Sequence, residues 1–291
     1  MPRQRNVDAP LTPYPDVDEL VADFAQAVIR ELEGNLVGVY LTGSLSYDAF
    51  EYRSSDIDFT VIVQRPVSST ELSSLQRLHR EVEQRFPEWS KRLECTYTPV
   101  RMLPDLYPPK EGRPWYWGGT GELYAAAEYG NEWIINRYFL HEYGIALHGP
   151  EFRDLVGPVD MVEVQKACIR DLLVEWKPKV SDEAWLASYE YWHYLVLNLC
   201  RILYTVCRAS AGSKRVAAEW VVGRYGDRWK DLVEGALEWG HGVDFAPKDD
   251  AVAFLEFVVS VVSCTDLYRE VSGEGPGTGP DGHGTAESGG S

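Results

Sequence analysis

The chain has 291 residues, enough for two domains, and its 45% apolar and 12% aromatic content is that of a folded globular protein. Its formal net charge of −17 argues against a nucleic-acid partner, because phosphate backbones are bound by clustered Lys and Arg side chains. An acidic chain attracts cationic ligands instead, although the acidity could equally serve solubility alone.

The composition predicts neither a membrane partner nor secretion. No run of about 18 apolar residues occurs, and the N-terminal residues are polar. The chain has five cysteines in apolar surroundings and no Cys-x-x-Cys pair, which indicates reduced thiols: Cys95, Cys168, Cys200, Cys207 and Cys264. We therefore expect a cytoplasmic protein, and we expect a monomer.

Two helices are predicted in the N-terminal part. The first spans 16–33, where a capping box starts at Asp16 and apolar residues repeat at helical spacing. The second spans about 68–86, and a capping box starts at Ser68.

Two runs rich in β-branched residues, 37–46 and 54–63, predict strands between these helices. The first run contains Gly43-Ser44, and the second opens with Asp56 and Asp58. Residues two apart on a strand point to the same face, so the two aspartates project together, roughly 6–7 Å apart along the backbone.

Two carboxylates this close repel each other unless a cation lies between them. Mg²⁺ suits the position, since it is usually held by one or two carboxylates together with substrate phosphates. The Gly-Ser turn can bring backbone N–H groups and a hydroxyl to a phosphate chain. The pattern predicts a nucleotide–metal site; the alternative is a hairpin whose aspartates only cap a strand.

Gly43-Ser44 followed by Asp56-Ile57-Asp58 resembles the signature of the polymerase-β-like nucleotidyltransferases. In that superfamily a third carboxylate, on the strand beside the aspartates, completes the metal cluster or accepts the substrate's proton. Glu94 matches this description, because it lies in a predicted strand at 91–100 in which apolar and polar side chains alternate. A hydroxyl that attacks a phosphate must lose its proton, and a nearby carboxylate can take it. The alternative is a solvated glutamate on the open face of a sheet.

Residues 104–131 form a poorly patterned insert that is rich in Pro and Gly and contains Trp115 and Trp117. Aromatic residues in such a loop are either anchors buried in the core or a lid that stacks on a ligand, and we favour anchors. A helix is predicted at 132–143, and Gly-Pro pairs up to 157–158 mark a domain boundary.

From about residue 160 the pattern is helical throughout, without a convincing strand. The predicted helices are 162–176, 182–207, 213–225, 229–238 and 249–271. The sequence thus predicts an α+β (α/β-like) first domain at 1–158, with a mixed β-sheet and helices, and an all-α helical bundle at 159–271. The Gly-rich end, 272–291, is predicted to be disordered.

Further segments narrow the resemblance to one family. The strand LECTYTP at 93–99 resembles the strand that carries the catalytic glutamate in aminoglycoside adenylyltransferases of the streptomycin/spectinomycin type. Residues 143–150 resemble the segment that closes the first domain of that family, and residues 197–206 and 213–220 resemble helices of its second domain. The likeness runs in order over most of residues 16–260.

The resemblance implies a nucleotidyltransferase domain followed by a helical domain, with ATP as co-substrate and two Mg²⁺ ions. It implies Asp56, Asp58 and Glu94 as metal ligands, and Glu94 also as the general base. The residues that it implies in nucleotide binding are Gly43, Ser44, Ser55, Arg201 and Lys214. The two basic residues are chemically sensible, because a triphosphate carries a charge near −4 and needs compensation beyond Mg²⁺.

The sequence departs from the family at the position that grips the cationic antibiotic. There the family has an acidic residue near the start of the helix that bears Arg201, whereas this chain has Tyr191, with Glu190 one residue earlier. A one-residue offset rotates a side chain by about 100° on a helix. Either Glu190 substitutes, or the acceptor is not streptomycin or spectinomycin. The candidate acceptor contacts are Trp117, Glu190 and Tyr191.

The function that the resemblance implies is Mg²⁺-dependent transfer of AMP from ATP to a hydroxyl of a cationic aminoglycoside or aminocyclitol, which gives antibiotic resistance. The alternative is a nucleotidyltransferase-fold enzyme that modifies a protein or RNA, of the regulatory or toxin–antitoxin type. A nucleotide-binding module without turnover is a third option, disfavoured because all three carboxylates are present. Net charge and the matched second domain favour the first.

Overall fold

The computed structural model describes residues 10–182, 191–239, 245 and 247–273. Within them, six strands form one sheet: β1 Leu36–Thr42, β2 Ile57–Val63, β3 Leu93–Pro99, β4 Arg113–Trp117, β5 Glu122–Ala127 and β6 Ile145–His148. Their order is β5-β4-β3-β2-β1-β6, with β2 and β3 parallel and the other neighbours antiparallel. This mixed sheet with its helices confirms the predicted fold class.

Helices occur on both sides of the sheet, and they predominate in the described residues after β6. The first five are α1 Pro15–Glu31, α2 Gly43–Ser46, α3 Ser69–Arg85, α4 Glu132–Tyr143 and α5 Phe152–Leu155. The C-terminal helices are α6 Met161–Asp171, continued by a π-helix Leu172–Trp176, then α7 Lys177–Lys179, α8 Trp192–Arg208, α9 Lys214–Glu238, α10 Lys248–Ser263 and α11 Asp266–Ser272. The described residues beyond 158 contain no strand, as the helical pattern predicts.

The two N-terminal helices begin differently. At α3 the predicted capping box is present: Ser68 accepts from the Glu71 N–H, and the Glu71 side chain accepts from the Ser68 N–H. At α1 the predicted box is wrong, since the helix begins one residue earlier and Tyr14 is the N-cap without a side-chain bond. The Asp16 carboxylate instead accepts hydrogen bonds from the Tyr52 hydroxyl and the Trp89 indole, at 2.9 and 3.0 Å.

Three further expectations need correction or refinement. The insert at 104–131, for which the sequence predicts a loop, contains the hairpin β4–β5, which extends the sheet beyond β3. The two helices predicted at 213–225 and 229–238 are one helix, α9, with a kink at Tyr225, where φ is −132°. The single helix predicted at 249–271 is two, α10 and α11, bent by 98° at a break where the Thr265 side chain caps α11.

Two predictions fall partly or wholly on residues outside the described ranges. The helix predicted at 182–207 is represented by α8, and Glu190 lies in the stretch that is not described. The end predicted to be disordered lies outside the described residues from residue 274 on. Among the described residues no single helix is long and apolar enough to cross a membrane. Only the bent pair α10–α11, taken together, has the length and apolar composition of a membrane span.

The sheet separates two apolar cores, because side chains alternate between its faces. From β2, Phe59 and Val61 pack towards α1 and α3, whereas Ile62 packs towards the C-terminal helices. The second core also takes in Tyr40 of β1 and Trp133 of α4, so residues on both sides of position 158 share it. The division into two domains at that position stays a prediction.

His79 is a buried polar group on the first of these faces. It is 2% exposed, its Nε2 lies 2.8 Å from the Tyr97 hydroxyl, and its ring stacks on Tyr116 at 3.7 Å. Burial lowers the pKa of His79 from 6.5 to about 3. The imidazole is therefore neutral in the folded protein at every physiological pH.

The pKa of His79 predicts that acid destabilises the fold through this residue. Below pH 6.5 His79 is protonated in the unfolded chain but remains neutral in the folded protein. The free energy of unfolding therefore falls with decreasing pH until about pH 3. The slope from this one group is about 1.4 kcal/mol per pH unit. We expect His79→Gln to flatten the pH dependence of denaturant unfolding between pH 4 and 6 by roughly that amount. The exposed His148→Gln should leave the slope unchanged; equal slopes in all three proteins would contradict the prediction.

Candidate active site

A row of side chains crosses the sheet on the face towards the C-terminal helices. The pairing places Thr42 of β1 opposite Asp58 of β2, Asp58 beside Glu94 of β3, and Glu94 opposite Trp117 of β4. Neighbouring strands lie roughly 4.8 Å apart, and paired residues point to the same face. The structure therefore brings Asp58 and Glu94, predicted from separate motifs, side by side.

Gly43 is packed directly against the Asp58 carboxylate. It follows β1 with φ +61°, and a Cβ atom built on it would lie 1.9 Å from Asp58 Oδ2. Only glycine combines this backbone conformation with so close an approach. Ser44, next in α2, accepts a hydrogen bond from the Ala49 N–H on its carbonyl, at 3.0 Å. The Gly-Ser pair thus adjoins one of the predicted metal ligands.

Asp56 lies in the loop just before β2, and Arg92 holds this loop. The Arg92 guanidinium donates to the Tyr52 carbonyl at 2.9 Å and, through Nε, to the Ser55 carbonyl at 3.0 Å. The Ser55 hydroxyl accepts from the Glu51 N–H at 2.9 Å. Burial lowers the pKa of Arg92 and the Asp56 carboxylate opposes that change, so the guanidinium lies near the aspartate as well.

Arg201 of α8 and Lys214, the first residue of α9, face the carboxylates from the C-terminal helices. The Arg201 guanidinium lies 5.2 Å from the centre of the Phe139 ring, and the Lys214 ammonium lies 4.9 Å from the centre of the Tyr194 ring. Burial, followed by Arg201, lowers the pKa of Lys214, and the three carboxylates oppose this effect. The two cations and three carboxylates therefore share one region.

Burial and mutual repulsion make the carboxylates hard to ionise. Burial raises the pKa of Asp58, and the charge of Asp56 adds to the rise. Burial also raises the pKa of Glu94, with further contributions from Asp58 and then Asp56. Lys214 acts in the opposite direction on both groups. A cluster of this kind favours a bound cation, because a cation offsets the cost of ionising Asp58 and Glu94.

The donor set suits Mg²⁺ bound together with other oxygen ligands. In the described part of the chain, no group of three or more His, Cys, Asp or Glu side chains is arranged to hold a metal ion unaided. Asp56, Asp58 and Glu94 nevertheless supply carboxylate oxygens, which Mg²⁺ prefers, and Mg²⁺ commonly completes its shell with water and substrate phosphate. The residues present thus fit the metal as part of a nucleotide complex.

The predicted acceptor contacts are less closely grouped. Trp117 is half-buried beside Glu94, and its ring is parallel to that of Trp115 with the centres 6.0 Å apart. Tyr191 comes immediately before α8 and is 38% exposed. Glu190 is outside the described residues. Among the described candidates, Trp117 is therefore the one that the strand register places next to Glu94.

Two tyrosines of the site are not predicted by the sequence. Burial raises the pKa of Tyr47, with Arg201 opposing and Asp58 adding to the rise. Burial and then Glu94 raise the pKa of Tyr194 to about 12. A signal exists for Tyr194, because it precedes Arg201 by two helical turns and so shares its face of α8. Tyr47 lies three residues after Ser44 in the sequence, and this proximity is a weaker signal.

Comparison with known proteins finds relatives of the type that the sequence resemblance indicates. A family model described as the aminoglycoside adenylyltransferase C-terminal domain matches residues 154–262. A spectinomycin 9-adenylyltransferase of Campylobacter jejuni is 25% identical over 235 residues, covering 77% of this chain and 84% of that protein. The spectinomycin adenyltransferase AAD(9) from Enterococcus faecialis, solved with ATP and spectinomycin, has a TM-score of 0.68 at 17% identity, covering 84% of this chain and 98% of that one. The structural likeness shows the fold.

The contact between Gly43 and Asp58 predicts that Gly43→Ala is destabilising. The alanine would have to keep a positive φ, and its methyl group would displace the Asp58 carboxylate. We therefore expect a loss of about 1–3 kcal/mol in the free energy of unfolding. Denaturant unfolding without metal or nucleotide measures this loss.

Gly223→Ala is the matched control. Gly223 lies within α9, and no atom lies within 4 Å of a Cβ built on it. The same substitution should stabilise the protein there by about 0.5–1 kcal/mol. Equal effects of the two substitutions would show that Asp58 moves aside freely and that the close approach does not constrain it.

Proposed function

We propose that this chain is an aminoglycoside adenylyltransferase, which transfers AMP from ATP to a hydroxyl group of an aminocyclitol or aminoglycoside antibiotic of the spectinomycin/streptomycin type, because it is similar in sequence to that family and has the fold of one of its members. The observation that carries the proposal is the placement of Asp58 beside Glu94, with Asp56 nearby and Lys214 opposite. This arrangement combines a site for a metal–triphosphate complex with a carboxylate that can accept a proton.

Glu94 is the proposed general base. Its pKa is raised towards the neutral range by burial and by Asp58, and a base is most effective when its pKa lies near the working pH. The acceptor's hydroxyl proton passes to Glu94 as its oxygen forms a bond to the α-phosphorus. The bond from that phosphorus to the bridging oxygen breaks, and pyrophosphate leaves with the electron pair.

Asp56, Asp58 and Glu94 are the proposed ligands of Mg²⁺, which when bound neutralises the triphosphate and the negative charge that develops on the transferred group. Lys214 and Arg201 supply positive charge from the opposite side, where they would contact the phosphates. Gly43, Ser44 and Ser55 adjoin the same region and are proposed as nucleotide contacts. We also propose that residues 1–158 and 159–271 act as two domains, since the carboxylates come from one and the basic residues from the other.

The acceptor site is proposed to be acidic and aromatic. The net charge of −17 favours a cationic ligand, and Trp117 beside Glu94 offers an aromatic face close to the reacting atoms. An ammonium group on such a face gains about 1–2 kcal/mol when water is excluded. With Tyr191 at the family's acidic position, either Glu190 or a different antibiotic must account for recognition of the ligand's charge.

The function is tested by pyrophosphate release from ATP·Mg²⁺ across a panel of aminocyclitol antibiotics. We expect release with at least one of them, and loss of release when ATP is replaced by an analogue whose α,β-bridge cannot be cleaved. Mass spectrometry of the product should show addition of one AMP. If no aminocyclitol reacts while a protein or RNA becomes labelled from α-labelled ATP, the antibiotic assignment is wrong.

The proposed role of Glu94 predicts a large rate effect with little effect on ATP binding. Glu94→Gln should lower kcat by at least roughly a hundredfold, because the proton acceptor is lost. The Kd for ATP·Mg²⁺ should change little, because Asp56 and Asp58 remain; stopped-flow kinetics and calorimetry measure the two quantities.

Glu122→Gln is the control for this experiment. Glu122 pairs with Trp117 at the outer end of the same row and is exposed, so its substitution should leave kcat unchanged. If Glu94→Gln instead abolishes ATP·Mg²⁺ binding, Glu94 acts first as a metal ligand and not as a base.

A further inference from the structure

An ion pair joins the loop that carries Asp56 to the start of α9. Arg215 donates from its Nη2 and Nε atoms to the same oxygen of Glu51, at 2.6 and 3.0 Å. The two residues are 164 positions apart in the chain. Glu51 belongs to the segment between β1 and β2, and Arg215 directly follows Lys214. The pair therefore connects the carboxylate side of the site with the element that carries its buried lysine.

The Glu51 end of this connection is rigid. The Glu51 carbonyl accepts hydrogen bonds from the Ser54 and Ser55 N–H groups, at 3.0 and 2.8 Å. The Ser55 hydroxyl accepts in return from the Glu51 N–H at 2.9 Å, and Arg92 holds the Ser55 carbonyl. The turn is thus closed on itself one residue before Asp56. These hydrogen bonds couple the position of Glu51 to that of Asp56.

The Arg215 end is the first turn of a capped helix. The Ser213 hydroxyl accepts from the Val216 N–H at 3.1 Å, which fixes where α9 begins. Successive residues of a helix point about 100° apart. Lys214 accordingly points to the carboxylates, whereas Arg215 is exposed and reaches sideways to Glu51. Because both belong to one helical turn, holding Arg215 also holds the Lys214 backbone.

We propose that Glu51 and Arg215 are positioning residues that hold Lys214 at the distance from the carboxylates at which its ammonium can engage the nucleotide's phosphates. The proposal rests on the nucleotidyl-transfer function above and names a pair outside the catalytic row. The two side chains are 53% and 50% exposed, and exposed ion pairs contribute little to global stability. Their effect is therefore expected on nucleotide binding, which depends on the distance between the carboxylates and Lys214.

The experiment measures the Kd of a Mg²⁺ complex of an ATP analogue with a non-cleavable α,β-bridge, together with steady-state kinetics at varied ATP. The variants are Glu51→Gln, Arg215→Gln and the charge swap Glu51→Arg with Arg215→Glu. Each single variant should raise the Kd and the KM for ATP about threefold to fivefold, in the upper range of a lost exposed ion pair. The value of kcat at saturating ATP should change less than KM. The charge swap should restore the Kd to within about twofold of the original protein.

Lys230→Gln and Glu234→Gln are the matched controls. These residues form an exposed pair on the same helix, 4.0 Å apart, at the end remote from Lys214. They should leave the Kd for the nucleotide unchanged, and thermal unfolding without nucleotide should be similar in all the variants.

Unchanged nucleotide binding in the single variants would overturn the proposal, as would a charge swap that binds no better than the singles. The proposed function fails separately. If no antibiotic is adenylylated but the variants show the expected pattern of nucleotide binding, the positioning pair stands and the acceptor assignment falls. If the unaltered protein does not bind the Mg²⁺–nucleotide complex, both fall together.

Discussion

Asp58 and Glu94 lie side by side on parallel, hydrogen-bonded strands, and the repulsion between their half-buried charges is the constraint on which the site depends. The strands cannot slide to relieve it. A shift of one residue would turn Phe59 and Cys95, both buried against the α1–α3 side, towards the opposite face. Packing on the α1–α3 side of the sheet thus stabilises an arrangement that the two carboxylates on the opposite side disfavour.

The neighbourhood of the pair is shaped by the same constraint. Gly43 leaves room for the Asp58 carboxylate where any side chain would displace it. Arg92 donates to backbone carbonyls of the loop that carries Asp56 and so fixes the course of that loop. Positive charge comes instead from Lys214, which reaches the carboxylates from another part of the chain. Local backbone contacts set the geometry, and the C-terminal helices supply the charge balance.

The sequence predicts well what is encoded by local periodicity. The alternation in β2 and β3 predicts that both segments are strands, and the capping box at Ser68 predicts the start of α3. The adjacency of Asp58 and Glu94 depends on strand register, which periodicity does not determine. The family resemblance supplied it.

Predictions failed where local signals were ambiguous or where distant contacts decide the structure. The β4–β5 hairpin lies in a segment rich in Gly and Pro, and its pairing with β3 is what orders it. Asp16 has the spacing of a capping residue, but two aromatic donors from distant parts of the chain take its carboxylate. The Glu51–Arg215 pair joins residues that no local pattern connects. In each case a contact between distant segments outweighed the local preference.

Under the proposed function, the position of Lys214 would link metal binding to nucleotide binding. In this arrangement its ammonium partly neutralises Asp56, Asp58 and Glu94, so a triphosphate must compete with the carboxylates for it. If Lys214 turned to the phosphates alone, Asp58 and Glu94 would lose its opposing charge and their pKa values would rise further. A divalent cation on the carboxylates removes that conflict, because it takes over their neutralisation and leaves Lys214 available to the phosphates. In the proposed mechanism each of the two ligands would therefore improve the site for the other, and by linkage the coupling free energy would be the same in either order of binding.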